Sequence, residues 1–316
     1  MRVALVLVLG ALAAAACGLD LAGTNPSAPT DGGASSTSGG SSTSSSGAGE
    51  PDSSALDDGG GYVEDAAPAV DAGGYVGPEI GKDTSGCPRG RGPVMVRTAS
   101  YCIDATEVTE GQYRAFLEAM GGARFDSPHA SCTGKQNHLP SPPPPQGALL
   151  HCPLLSDATL GRPIVCVDWC DAHAFCAWAG KRLCGAIGGG SIKTNGGDYR
   201  NSGKDEWYAA CLGPGGNDFA YGKTFEPNRC NSFEDPNNRP LDVMEKDRCT
   251  GGVAGLYDMV GNVRELENAC SGPEAAATCL RRGGGWDLAE GACNNFSAFA
   301  RNGRDDTTGF RCCADP

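Results

Sequence analysis

The stretch Gly255-Leu-Tyr-Asp-Met-Val-Gly-Asn-Val-Arg-Glu265 decides how the rest of the chain is read. Glycines at 255 and 261 mark backbone that needs positive φ or close approach, so the segment reads as a glycine-punctuated turn. Asn262 and Glu265 place oxygens three residues apart beside exposed carbonyls, a donor set suited to a hard cation such as calcium. The plainer alternative is a tight turn whose polar side chains only satisfy local backbone. Two further blocks follow, Arg282-Gly-Gly-Gly-Trp286 and Gly309-Phe-Arg-Cys-Cys313.

Together the three blocks resemble the formylglycine-generating enzyme, or sulfatase-modifying factor, family, which reads GxYDMxGNVWEW, then RGGSW, then GFRC. Two earlier stretches fit the same pattern. Asp104-Ala-Thr-Glu-Val-Thr-Glu-Gly-Gln-Tyr113 matches the family's Asp-x-x-Glu-Val-Thr-x-x-Gln-Tyr, and Pro163–Leu183 follows its strand–helix segment ending Gly-Lys-Arg-Leu. The family then continues at once into Pro-Thr-Glu-Ala-Glu-Trp-Glu-Tyr-Ala. Here a Gly-rich insertion, Cys184–Lys204, comes first, and the pattern resumes at Glu206-Trp-Tyr-Ala-Ala210. The resemblance implies an α+β fold of the formylglycine-generating-enzyme-like, C-type-lectin-like kind, irregular, loop-rich and disulfide-rich.

Composition divides the chain into three parts. Residues 1–16, Met1-Arg2 followed by the apolar run Val3–Ala16, read as a signal peptide too short to span a bilayer. Ala14-Ala-Ala-Cys17 looks like a lipobox, which makes Cys17 the expected lipidation site and the bacterial cell envelope the expected location; an ordinary secretory signal is the alternative. Residues 17–86 are rich in Gly, Ser and Ala, carry many acids, and hold few large apolar side chains, so they read as a disordered tether. Much of the net charge of −13 lies there, and with no basic patch to displace counterions a nucleic-acid partner is excluded. Residues 87–316 form the expected folded domain and hold sixteen of the seventeen cysteines. An even number behind an export signal implies bridges formed in an oxidising compartment, with a connectivity that sequence does not fix.

Within the domain, Val94, Val96 and Ile103 are spaced as in short strands. Thr109 with Gln112 forms a capping-box pattern, and Tyr113, Phe116, Leu117 and Met120 predict an amphipathic helix. Ile164 and Val165 read as the end of a strand, and Asp168 as the cap of a second helix with a stripe of Ala172, Phe175, Cys176 and Ala179 ending at Gly180. Pro140-Ser-Pro-Pro-Pro-Pro145 reads as a stiff loop. Cys170, His173 and Cys176, at three-residue steps, could present zinc donors on one helical face, but an oxidising compartment favours bridges. His129, His138 and His151 lie in loops with no carboxylate pattern nearby. Glu226-Pro-Asn228 spells the sugar-selecting triplet of mannose-type lectins without the Trp-Asn-Asp strand that completes it.

The resemblance also carries chemistry. The family's oxidase holds Cu(I) on two cysteines five residues apart after RGGS, because soft thiolates select that ion, and converts a substrate cysteine to formylglycine. The first position is Leu288 here and the second is Cys293; Gly285 replaces the Ser and Leu266 the last Trp of GNVWEW. Cys293 is thus the one candidate catalytic residue. It has a structural reading as well, since the family's disulfides imply a Cys211–Cys293 pair beside Cys176–Cys312. By the same resemblance, structural calcium falls on Asn231 and Ser232 and on Gly261, Asn262, Val263 and Glu265, and Trp286 and Arg301 line the substrate groove. The expectation is a tethered, non-catalytic domain binding a peptide, glycan or partner protein, with a copper oxidase as the alternative.

Overall fold

The computed structural model describes residues 81–121, 129–135, 137–141, 152, 157–274 and 277–316. The expected signal peptide, Cys17, nearly all of the expected tether, His151 and most of the proline run lie outside the described residues.

Forty-eight glycines and twenty-one prolines punctuate the chain, and its regular elements are correspondingly short. A two-residue ribbon, β1 (Gly81–Lys82) with β2 (Pro88–Arg89), starts the described structure, ahead of the expected boundary at Cys87. β3 (Met95–Arg97) and β4 (Cys102–Asp104) lead into α1 (Glu110–Ala119). Thr109 caps α1 in a full capping box with Gln112, and Tyr113 and Phe116 are its fully buried apolar residues.

Thr109 also forms a lone bridge to Pro163, but Ile164 and Val165 make no strand. The Ile164 N–H bonds to the Val108 carbonyl and that of Cys166 to the Asp305 carbonyl, so the expected strand is corrected to a buried connection. It runs into α2 (Trp169–Trp178), capped by Asp168 in a box with Asp171 and ended by Gly180 at φ 71°. Eight of the ten α2 residues are buried, so the expected single stripe is corrected to a helix covered nearly all round. After it come β5 (Arg182–Leu183) and α3 (Glu206–Leu212). The second half is β-rich: β6 (Arg264–Cys270), β7 (Thr278–Arg282), β8 (Phe296–Ala300), β9 (Thr308–Gly309) and β10 (Cys312–Ala314).

Two four-stranded sheets result, ordered β3-β4-β10-β5 and β8-β7-β6-β9. Only the β6–β9 pair is parallel among the named pairs, and it sets Glu265 opposite Gly309. That register brings two of the sequence blocks side by side. Gly309 is required there because a Cβ would stand 2.7 Å from the Ile164 carbonyl oxygen. Gly261, at φ 80°, is required twice over, since a Cβ would also lie 2.5 Å from the Asn231 carbonyl.

Between the helices and sheets lie two apolar clusters. One gathers Tyr113, Phe116, Phe175, Trp178 and Phe310 around the face of α2; the other packs Trp207, Met259, Leu256 and Ile103 around α3. Eight disulfides staple the domain, each within one cluster or its margin, and they use every cysteine from Cys87 onward. A chain built on this many bridges is that of an extracellular or periplasmic protein. Among the described residues no helix is long and apolar enough to cross a membrane.

Candidate binding site

The sequence blocks meet as a buried ionic frame. Both oxygens of Glu265 accept from Arg311, at 2.6 and 2.8 Å, and Oε2 also accepts from the Trp207 indole at 2.9 Å. Arg311 reaches on to the carbonyls of Asp104 and Tyr257. Lys181 pairs with Asp104, whose other oxygen accepts from the Cys312 N–H at 2.8 Å. Arg282, from the second block, is buried between Glu267 and Asp205. These charges face one another, so their motif positions build the scaffold, although Arg282 Nη1 and Glu267 Oε1 are buried without a hydrogen-bond partner.

The expected catalytic position belongs to the same scaffold. Cys293 is fully buried and bonded to Cys211, and Cys176 is bonded to Cys312. Cys170 is bonded to Cys132, so neither sulfur of the zinc trio is a thiolate; His173 is left with burial holding its pKa down at about 4, helped by neighbouring His129.

Calcium fits the expected positions unevenly. Asn231 Oδ1 is buried with no hydrogen-bond partner, as a metal-facing oxygen would be. Asn262 Oδ1 already accepts from Asn231 Nδ2 and the Leu241 N–H, both at 3.0 Å. Glu265 fits least well, since both its oxygens are held by Arg311 and Trp207 and it serves as an arginine's counter-ion. Among the described residues no group of three or more His, Cys, Asp or Glu side chains is arranged to hold a metal.

An open cavity of about 220 Å³ lies elsewhere, beside the first turn of α2. Trp169 forms its floor, fixed by an indole N–H bond of 2.8 Å to the Glu267 carbonyl of β6. His129 stands against Trp169 at 4.9 Å between ring centroids, held in place by the short turn Ala130–Cys132 and the Cys132–Cys170 bridge. Asn268 and Cys270 enter from β6, and Ser191 from the Gly-rich insertion, whose Ile192 N–H donates to the Asn268 carbonyl at 2.8 Å. Arg301 closes the far wall. Its carbonyl accepts from the Trp169 N–H and its guanidinium lies 5.2 Å from the Trp169 ring. Trp286 is not among the residues lining this cavity; its indole N–H donates to the Asp306 carbonyl at 3.2 Å.

Residues 69–316 match the family described as sulfatase-modifying factor enzyme 1-like domain. The chain belongs to the sulfatase-modifying factor family. Its relatives within that family include proteins named as inactive and proteins named as enzymes. The inactive C-alpha-formylglycine-generating enzyme 2 of Bos taurus is 32% identical over 170 residues, covering 48% of this chain and 49% of that protein. The chain therefore spans about half the length of that mammalian relative. The formylglycine-generating enzyme of Thermomonospora curvata is 27% identical over 293 residues, covering 75% of this chain and 89% of the enzyme. Among solved structures, PvdO from Pseudomonas aeruginosa superposes with a TM-score of 0.47 at 20% identity, over 68% of this chain and 80% of that one.

Against the family pattern, sequence reasoning missed most of the cavity. His129 and His138 read as loop residues without partners, yet His138 Nδ1 lies 2.9 Å from Asp171 Oδ1, on the helix cap. The signal that was available is the Asp168/Asp171 box, which also gathers Lys135 and Arg304. Nothing local to the sequence ties Ser191 to Trp169. Glu226, the lectin-like triplet's acid, pairs with Arg229 and Arg248 on the surface.

Proposed function

We propose that the domain is a non-catalytic member of its family, binding a peptide, glycan or partner protein from a lipid-anchored position in the cell envelope. The support is the thiol inventory. Leu288 stands at the first copper position, and Cys293 is spent on a bond to Cys211. Two thiolates are needed to hold Cu(I) in a linear site, and all sixteen cysteines from Cys87 onward are in disulfides. Calcium, expected by the same resemblance, would draw on Asn231, whose Oδ1 has no other partner, while Glu265 is engaged by Arg311. The tether of residues 17–86 and the lipid on Cys17 would give such a domain reach from the membrane.

The deciding experiment is alkylation of the non-reduced, denatured protein with peptide mapping, followed by copper binding and conversion of a Cys-x-Pro-x-Arg peptide. No label from Cys87 onward, no stoichiometric Cu(I) and no aldehyde product are expected. Label on Cys293 with a second cysteine, accompanied by product, would establish the oxidase with an altered copper site instead.

A further inference from the structure

Arg301 is exceptional among the fully buried arginines. Arg282 faces Asp205 and Glu267, and Arg311 is paired with Glu265, whereas Arg301, 3% exposed, has no carboxylate oxygen within ion-pair distance among the described residues. Its guanidinium is instead positioned by two backbone carbonyls, Glu274 through Nη1 at 2.8 Å and Gly272 through Nη2. Nε is buried with no partner at all. Nε is thus sealed from the cavity as well as unpartnered, but Nη1 and Nη2 each carry a second N–H beyond the one given to a carbonyl. Spare donors in a planar fork at a cavity wall are the arrangement that recognises a carboxylate.

The rest of the cavity suits a compact organic acid better than a bare ion. Trp169 and His129 offer aromatic surface, and Ser131, Ser191 and Asn268 add short polar groups around it. Burial, and the charge of Arg301, hold the His129 pKa down, so near neutral pH the histidine is an uncharged wall and Arg301 the cation. A volume of about 220 Å³ admits one amino-acid residue or one sugar ring. Ser191 comes from the Cys184–Lys204 insertion, where the chain departs from its family's pattern, so this wall is the chain's own.

We propose that this cavity binds a small organic carboxylate, its anion on Arg301 and its body against Trp169 and His129. The proposal deepens the binding reading and rests on it. Glu274 is the acid that acts on Arg301 through space, from the same turn, and it is the ligand's competitor.

The test is calorimetric titration of the whole protein with N-acetyl-L-alanine and with D-glucuronate, each beside its neutral counterpart, the amide and D-glucose. At least one acid binds saturably and its neutral counterpart about tenfold more weakly or worse, the loss expected when a charged hydrogen-bond partner is removed. Which acid binds separates an amino-acid carboxyl from a uronic acid. Arg301→Gln weakens the acid by at least about tenfold, and Glu274→Gln strengthens it severalfold. Because Arg301 also holds the turn, Ser191→Trp serves as the second variant, filling the cavity from an exposed position and abolishing binding while the circular dichroism stays unchanged. No saturable binding by either acid, equal binding of acid and neutral probe, or binding unaffected by Ser191→Trp overturns the proposal. Those outcomes leave the alkylation result untouched, so the two readings fail separately.

Discussion

Glu265 shows how one residue can carry a motif for a reason other than the one its neighbours suggest. Its place three residues after Asn262 fits a cation site, but in the fold Arg311 and Trp207 take both its oxygens. A buried carboxylate held this way is costly to remove, since the partner left behind is an uncompensated charge; about 3–5 kcal/mol is the usual loss. Urea unfolding with millimolar calcium and with chelator separates the roles. Glu265→Gln should lose that amount in both conditions. Asn231→Ala should remove whatever stabilisation calcium gives the wild type, because Asn231 Oδ1 is a buried side-chain oxygen of the expected site with no hydrogen-bond partner. A calcium-dependent cost at Glu265 would return that residue to the metal.

The helices illustrate how local signals survive into the fold. The capping box of Thr109 and Gln112 and the cap at Asp168 both form as their sequences predict, and Asp171 completes a second box with Asp168, because each needs only residues three apart. Burial is less local. Glu110, in the first turn of α1, is covered by the segment around Thr159, whose hydroxyl donates to it at 2.6 Å. Desolvation raises its pKa to about 7, outweighing the Thr159 bond and Arg162. The folded carboxyl therefore keeps a proton that the unfolded chain, titrating near 4.5, has released, and stability falls as pH rises between those values. Thermal melts of wild type and Glu110→Gln should coincide near pH 4 and diverge toward pH 8, with the variant the more stable by about 1–2 kcal/mol. Parallel profiles would mean that Glu110 ionises normally.

At the scale of the whole molecule the disulfides dominate, since short elements and loops bury little by themselves. Cys176–Cys312 closes 136 residues and Cys270–Cys279 only 9. With the other bridges intact, however, Cys184–Cys313 already ties residues beside both ends of Cys176–Cys312, so either bridge closes a loop of roughly ten residues, worth about 2.5 kcal/mol in loop entropy. Paired Cys→Ala replacement should therefore cost similar chain entropy at the two, with the larger fall in guanidinium midpoint at Cys176–Cys312, whose cysteines are both fully buried whereas Cys270 is half-buried. Equal losses would show that chain closure, not packing, sets the difference.

What the sequence determined by itself was the family, the paired caps, the glycines at 255 and 261, and the oxidising compartment. Each depends on residue identity at short spacing, or on composition. Positive φ at both glycines, 88° and 80°, follows from the turn that the block encodes. Tertiary structure alone decided the charge partners and the cavity. The strand ending at Val165 was lost because the N–H groups on either side of it, of Ile164 and Cys166, found Val108 and Asp305 as partners, a choice made by distant chain. Arg311 and Glu265 lie 46 residues apart, and Ser191, Trp169 and Arg301 come from three separate segments. No spacing rule links such positions. They meet only because β6 pairs with β9 and the insertion docks on β6, a register fixed by burial of the whole core rather than by any stretch of sequence.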